Sequence, residues 1–580
     1  MIVPMKKVTL LVSTRERTKA VNSLRRLGVL HVQALRPPTS EEVYRLQAEL
    51  SNAEKAAFLL ADYKVEKAQG EAPQDLVEQV IGLVQRRDAL TAELAEKREA
   101  YRWFQTWGRV SLASLKKLEE GGIYVRFYRC DQAAFKTLPQ EQVIPVAQSK
   151  EGILIAFIAR SPEERLDLPE QRMPEVEVTD LEARLAANEE ELRRIASTLE
   201  SLAPYREAIH TRMAVLKKQL EFHSVLAGMG EAEQFAFIQG FCPYDQVDRI
   251  KAAADQEGWA YFIADPDDPA EVPTLLRNKK PIRIIQPLFD FMGTYPGYHE
   301  HDISWIFLLF FSLFYAMIIG DAGYGLIFLA GTIWARRKFK TAPSEPFTLF
   351  FVLSIGTIVW GLITGTWFGS KAISELPFLK PFIIEKMYSF NPAKDAQAFM
   401  MKFTFIIGVV HLTAARLIAA AKKLPSPTAI ADLGWALILW CVFFVANKLI
   451  LNNPMPKFAI YLLIAGVLLV ASFANFQKNF IKGFLISLGN LPLSVIGCFS
   501  DIVSYIRLFA VGIATVTVAS SFNDMAGGIV APLVLVFGHG LNIVLGMMSV
   551  LVHGVRLNLL EFSGHLGQEW SGKAYRPFSE

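Results

Sequence analysis

The chain has 580 residues, 52% hydrophobic and 20% charged, with a formal net charge of +3. That length exceeds one domain, and a near-neutral chain without a basic patch excludes nucleic-acid binding built on phosphate contacts. Its four cysteines, Cys130, Cys242, Cys441 and Cys498, form no CxxC pair, so neither a zinc site nor a disulfide framework is indicated.

The opening MIVPMKKVTLLVSTRERTKA is not built as a signal peptide, because its short apolar run gives way at once to charges. The first half is therefore expected in the cytoplasm. Residues 5–36 read as strand, helix, strand, and AFIQGFCPYDQVDRIKAAADQEGWAYFIAD repeats that order later. Together, 1–40 and 229–300 are expected to form a proximal α/β lobe with its linker. From Glu41 to Trp107 the pattern turns helical and charged, with Leu76, Val80, Leu83, Leu90, Leu94, Tyr101 and Phe104 on a heptad seam interrupted by Arg87 and Lys97. A returning arm spans 178–228, where Leu181, Leu185, Asn188, Leu192, Ile195, Leu199 and Leu202 repeat in 4–3 steps. Such repeats with charged flanks predict an antiparallel coiled coil, with an ordinary helical bundle as the alternative. Unbroken, the returning arm from Asp180 to Leu226 reaches on the order of 70 Å at ~1.5 Å per residue. Strand-like segments between the arms place a distal α/β lobe at 108–177.

The remainder, 301–580, is expected to be a transmembrane domain. Eight apolar spans fall near 303–319, 322–336, 347–369, 400–420, 431–451, 457–476, 483–522 and 526–565. The first two are short and joined by GDAGYG, with Asp321 between them. The last two exceed the ~20 residues a span needs and are expected to tilt or extend beyond the lipid. Basic loop residues favour both ends in the cytoplasm: the Arg336–Lys340 cluster, Lys422, Lys423, Lys478, Lys482, Lys573 and Arg576 fall inside. The turn FNDMAGG carries no Lys or Arg, although Lys371, Lys380, Lys386, Lys394, Lys402, Lys448 and Lys457 fit the rule less well.

Between Gly483 and Phe522 the span from 483 to 522 carries only two charges, Asp501 and Arg507. An arginine that deep costs at least ~2.5–3.5 kcal/mol on insertion scales, so it faces a bundle interior or a water-filled path, or else serves as a structural partner to a neighbouring helix. In the last span, His539, Asn542, Gly546, Ser549, His553 and Arg556 follow at three- and four-residue steps, on one face of a regular helix. Asn542 and Ser549 also suit helix–helix contact. The whole stripe with its arginine reads as one wall of an ion route. GQEWSGKA matches the glycine and lysine spacing of a phosphate loop, but it lacks the Ser or Thr after the lysine and a preceding strand, and is set aside.

These residues carry a resemblance. The chain resembles the membrane stator subunit of V-type (archaeal/vacuolar-type) rotary ATPases and ATP synthases, called subunit I in prokaryotes and subunit a in eukaryotes. SDIVSYIRLFAVGIA and VHGVRLNLLEF are the specific signatures; KKVTLLV…LGVLHVQ, the two arms, FYAMIIGDAGYG and TGTWFG extend it over the whole chain. The resemblance implies that Arg507 and Arg556 face a rotating ring of proteolipid subunits. It implies that Asp501, Ser504, His553 and Glu561 line aqueous half-channels, with His539, Asn542 and Ser549 as secondary candidates. Eukaryotic members carry a glutamate where this chain has Leu493; its substitute is Ser494, Asn490 or nothing. The implied partners are the ring, peripheral stalk subunits E and G, the lipid membrane and, indirectly, a central-stalk cap subunit and the catalytic head. The implied role is coupling of H⁺ or Na⁺ passage to ATP turnover in a prokaryotic plasma membrane, with no cofactor and no catalysis by this chain itself. A secondary ion transporter with a coiled-coil regulatory arm is the alternative, but it predicts an inverted repeat that the spans do not display. A membrane-anchored scaffold leaves the polar stripe unexplained.

Overall fold

The computed structural model describes residues 1–63, 71–149, 152–391, 394–475 and 480–580; Lys478 lies outside them. The chain divides into two compact units: Met1–Leu11 with Leu24–Gln33 and Gln239–Ser579, and Val12–Ser23 with Ala34–Ile238. In chain order come β1 (Met5–Ser13), α1 (Arg17–Leu27) and β2 (His31–Gln33). Helices α2 (Glu41–Leu59), α3 (Leu76–Trp107) and α4 (Leu112–Glu120) lead to β3 (Tyr124–Cys130), α5 (Gln132–Thr137), β4 (Val143–Ser149) and β5 (Gly152–Ala159). Next are α6 (Val178–Leu202), α7 (Arg206–Gly228), β6 (Gly230–Ala232), β7 (Phe235–Pro243), α8 (Val247–Glu257), β8 (Ala260–Ala264) and β9 (Pro273–Thr274).

In the second unit, α2 packs on α7 and α3 on α6. Their shared core includes Leu46, Val80, Leu90, Ile195, Leu199 and Leu216. Val84 is buried on this seam where the heptad reading puts Leu83, which is half-buried. A straight helix drifts against a strict seven-residue repeat, and that drift moves the seam by one position. The returning arm is not one helix. Ala203–Tyr205 forms a 3-10 turn between α6 and α7 with Pro204 inside it, and a proline has no N–H to continue an α-helical ladder. At the far end β3, β5 and β4 form an antiparallel sheet in that order, registered by Phe127↔Ala156 and Ile144↔Ala156.

In the first unit the sheet order is β2-β7-β1-β8, with His31↔Phe241 and Val8↔Ile263 as register pairs. Val8 and Leu10 alternate into the core along β1, as a strand with one buried face requires.

The membrane half begins with α9 (Lys280–Arg283) and α10 (Gln286–Met292). It continues through α11 (Ser304–Ile319), α12 (Ala322–Lys338), α13 (Ser344–Thr364), α14 (Lys371–Ser374), α15 (Lys394–Lys423), α16 (Thr428–Leu451) and α17 (Phe458–Phe473). Last come α18 (Phe480–Ser504), α19 (Ile506–Met525) and α20 (Ala531–Ser549). After α20 the helix widens into π turns at Val550–Gly554 and Leu557–Phe562, then α21 (Ser563–Leu566) and β10 (Lys573–Ala574). Among the described residues, five segments are long and apolar enough to cross a membrane: Ser344–Thr364, Ala396–Lys423, Thr428–Leu451, Ile481–Met525 and Gly528–Leu566. The pair α11 and α12, bent by 120° at their junction, adds a sixth if counted as one span, and α17 is apolar but shorter. This is a helical, multi-pass membrane protein. The C-terminal residues return to the first unit: β10 and β9 form a separate two-stranded sheet, Tyr575 Oη donates to Val29 O at 2.6 Å and Phe578 N to Leu30 O at 2.9 Å, just before β2.

Asp321 fixes the junction between α11 and α12. It is 1% exposed and caps α12, accepting from Gly323 N at 2.8 Å and Tyr324 N at 3.2 Å. The same carboxylate takes Phe368 N and Gly369 N, each at 2.9 Å. So the GDAGYG and TGTWFG segments, far apart in sequence, meet on one side chain. Gly361 permits this approach, since a Cβ there would stand 2.2 Å from Ala322 N. Removing the acceptor strands several buried N–H groups, each worth ~1–3 kcal/mol when unsatisfied. Asp321→Ala is expected to lower the thermal unfolding midpoint of the detergent-solubilised protein far more than Asp321→Asn, which keeps one acceptor oxygen. Equal midpoints for wild type and Asp321→Ala contradict this.

Candidate functional site

The site is built where α18 passes into α19. Tyr505 interrupts the helix: Tyr505 N bonds Ile502 O and Leu508 N bonds Tyr505 O, both three residues back. The tightened turn leaves Ser504 O to the Arg507 side chain, whose Nε donates to it at 3.0 Å. A guanidinium thus finds its first partner on its own helix. Arg507 also donates to Ser504 Oγ, and to Glu561 Oε1 at 2.7 Å. Ser504 Oγ donates to the same Oε1 at 2.8 Å. Arg556 Nε stands 3.5 Å from it. Two arginines and a hydroxyl converge on one carboxylate oxygen, while Glu561 Oε2 is buried without a hydrogen-bond partner.

Glu561 sits in the second π turn, and Arg556 just before it. π turns hold more residues per turn than an α-helix and concentrate at functional sites. Here they rotate the expected stripe off a single face. Arg556 is exposed, His553 is half-buried with its Nδ1 unpartnered, and Ser549 is the last α-helical residue. His539 and Asn542 belong to another cluster, roughly 21–25 Å from Arg556 by axial rise. There His539 Nδ1 lies 2.8 Å from Tyr324 Oη and Nε2 lies 3.2 Å from Asn523 Oδ1. Asn542 Nδ2 donates to Tyr324 Oη at 3.0 Å and to Thr515 O at 2.9 Å. Asn523 Nδ2 donates to Phe368 O at 2.7 Å, beside the Asp321 cap.

Asp501 enters a third set. His565 Nε2 is 3.0 Å from Asp501 Oδ2. Arg416 Nε donates to His565 Nδ1 at 3.1 Å, so Nδ1 is the acceptor and the ring's proton sits on Nε2, donated to Asp501. Arg416 Nη1 reaches Asp432 Oδ1 at 3.3 Å and Lys423 Nζ reaches Asp432 Oδ2 at 2.6 Å. A continuous polar chain therefore runs from the α15–α16 connection through Asp432, Arg416 and His565 to Asp501. Alongside it His411, wholly buried, bonds Tyr505 Oη at 2.8 Å between the rings of Phe310 and Phe562. The sequence reading missed Arg416, Asp432 and His565. Arg416 and Asp432 carried the same signal as Arg507, a charge inside an apolar span.

Leu493 is 76% exposed; Ser494, one residue on, turns its hydroxyl back to Asn490 O at 3.2 Å. Neither joins the three sets. The glycine-rich GQEWSGKA holds no phosphate loop: the Glu569 and Trp570 amides are taken by the Glu300 carboxylate.

No family model matches the chain. It is 32% identical over 613 residues to the V-type ATP synthase subunit I of Borreliella burgdorferi, covering 100% of both chains. It is 32% identical over 623 residues to the V-type ATP synthase subunit I 1 of Treponema pallidum, again over 100% of both. The A-type ATP synthase subunit I of Methanocaldococcus jannaschii is 24% identical over 466 residues, 72% of this chain and 65% of that one.

Removing one partner from a buried ion pair costs ~3–5 kcal/mol, because the other charge stays behind. Glu561→Leu is therefore expected to lower the thermal midpoint of the solubilised protein strongly. Glu561→Leu combined with Arg507→Leu should recover part of the loss. No recovery in the double variant contradicts a direct pair.

Proposed function

The chain belongs to the V-type and A-type ATP synthase subunit I family, and on that premise we propose that it is the stator of a rotary ATPase, passing H⁺ or Na⁺ against a rotating proteolipid ring. The observation that carries this reading is the convergence of Arg507 and Arg556 on a buried carboxylate beside two polar chains. In the proposal each ring subunit brings a membrane-buried carboxylate. Crossing lipid ionised is prohibitive, so it travels neutralised. Near Arg507 its charged form is favoured and the ion leaves. Arginine suits this duty because it stays protonated even when buried, which lysine does not.

The chain of Asp432, Arg416, His565 and Asp501 is proposed as the wall of one half-channel, on the cytoplasmic side. The cluster of His539, Asn542, Asn523 and Tyr324 is proposed as the wall of the other. Arg507 separates them and prevents a direct leak. Glu561, with its free Oε2, is the group beside Arg507 equipped to take a proton and hand it on; an incoming ring carboxylate competes with it for the arginine. His553, close to both arginines, is assigned to the same step, and Ser504 positions Arg507 through its hydroxyl and carbonyl.

The proposal counts eight crossings, α11, α12, α13, α15, α16, α17, the α18–α19 helix and the last helix, with both termini in the cytoplasm. The arms and lobes of the N-terminal half are proposed to grip peripheral stalk subunits and resist torque, while ATP chemistry stays on other chains of the complex. The membrane is proposed to be the prokaryotic plasma membrane.

Arg507→Ala is expected to abolish ATP-driven ion uptake into vesicles carrying the assembled complex while leaving assembly largely intact. Arg556→Ala should give a milder loss, because an exposed arginine near a helix end can serve a structural role. Repeating the assay with and without Na⁺ names the ion. Uptake at the wild-type rate by Arg507→Ala overturns the reading.

A further inference from the structure

Beside the start of α13 lies an apolar cavity of about 330 Å³, lined by Phe311 and Tyr315 of α11, Leu349 and Leu353 of α13, and Met547 and Val550 at the end of α20. Tyr315 is its only polar lining side chain, and its hydroxyl turns to Met547 Sδ at 3.3 Å. A cavity so lined stays dry in water-bathed proteins and takes apolar guests. Here the surroundings are hydrocarbon: Ile355 and Val359 of the same span are exposed on its outer surface, and Phe350 stands at the cavity's edge.

The cavity adjoins a second hollow beside α9 and α10; Pro287, Phe291 and Pro346 border both. The rim of that hollow is charged. Arg283, Glu345 and Asp290 line it; Arg283 pairs with Glu345, and Asp290 accepts from the Tyr295 hydroxyl. Lys279 and Lys280 precede Arg283 and are exposed. Arg336 lies over the Phe347 ring at 5.3 Å, next to Pro346. Phe291, 75% exposed, stands at the junction. An apolar slot inside the span, with Lys279, Lys280, Arg283 and Arg336 outnumbering Asp290 and Glu345 where the span emerges, has the two halves of a phospholipid's chemistry.

We propose that this slot holds one acyl chain of an anionic phospholipid, with the lipid phosphate at Lys279 and Lys280, beside the Arg283–Glu345 pair. The chain packs on Met547 and Val550, where α20 becomes π-helical. The lipid thereby braces the turns that carry His553, Arg556 and Glu561. A void merely flooded by bilayer lipid would show no preference for headgroup charge, whereas this site does.

The test uses the assembled complex, stripped of lipid in detergent and exposed to micelles doped with dioleoylphosphatidylglycerol or dioleoylphosphatidylcholine, with bound lipid counted by native mass spectrometry. Wild type is expected to retain one more phosphatidylglycerol than Leu353→Trp, which projects an indole into the slot. Ile355→Trp, on the outer surface of the same helix, should match wild type. Lys279→Gln with Lys280→Gln should remove the preference for phosphatidylglycerol, a change of about tenfold in relative affinity. Equal binding of the two lipids by wild type overturns the proposal. So does an unchanged preference in the double lysine variant, a result that decides the matter even where the tryptophan variant does not assemble. Ion transport is not the readout, so this outcome is separate from that of the stator reading.

Discussion

Arg507 stands in a medium where its charge costs at least ~2.5–3.5 kcal/mol to insert, and Glu561 is the group that offsets that cost. The pair is 2.7 Å long and one of its partners is almost fully buried. Everything near it follows from keeping both charges satisfied. The interruption at Tyr505 releases Ser504 O toward the guanidinium. The π turns after α20 bring Arg556 and Glu561 onto the same oxygen. A buried pair of this kind is weak as a source of stability, since desolvation takes back most of the attraction. Its value lies in specifying where a positive charge must stay.

The same rule governs two other buried carboxylates. Asp432 is buried and carries both Arg416 and Lys423. Asp321 is satisfied entirely by backbone amides from two segments. The first is a charge network with a histidine in its middle, able to change its protonation. The second is a fixed cap with both oxygens engaged, which holds the bend between α11 and α12. Similar burial therefore supports different duties, and the partners distinguish them.

Much of this was readable from residues alone. Apolar runs near the length of a bilayer crossing mark the helices of the membrane half, and Pro204 in the returning arm was a visible reason for that arm to break. Arg507 was conspicuous because nothing else within many residues is basic. The break at Tyr505 was not, because SDIVSYIRL has neither proline nor glycine there, and the arginine's bond to Ser504 O appears only in three dimensions. The π turns have no sequence period of their own, so a stripe drawn at 3.6 residues per turn placed six residues on one face where the structure divides them. His565 looked like a residue beyond the last signature; only the fold sets it between Arg416 and Asp501. Glu561 was named as one channel residue among several, and its place as the common acceptor depends on two helices meeting.

The face of α19 that continues from Arg507 exposes Ala510, Ala514, Thr517 and Ser521, small side chains that let another helix come close. The most direct test of the central claim is a photo-reactive benzophenone amino acid at position 514 in the assembled complex, compared with the same residue at position 355 on the outer surface of α13. Light is predicted to join position 514 to a proteolipid ring subunit and to stop ATP-driven uptake, with no such product from position 355. Capture of lipid alone at 514, or equal capture of the ring from both positions, would contradict the placement of Arg507 at the ring.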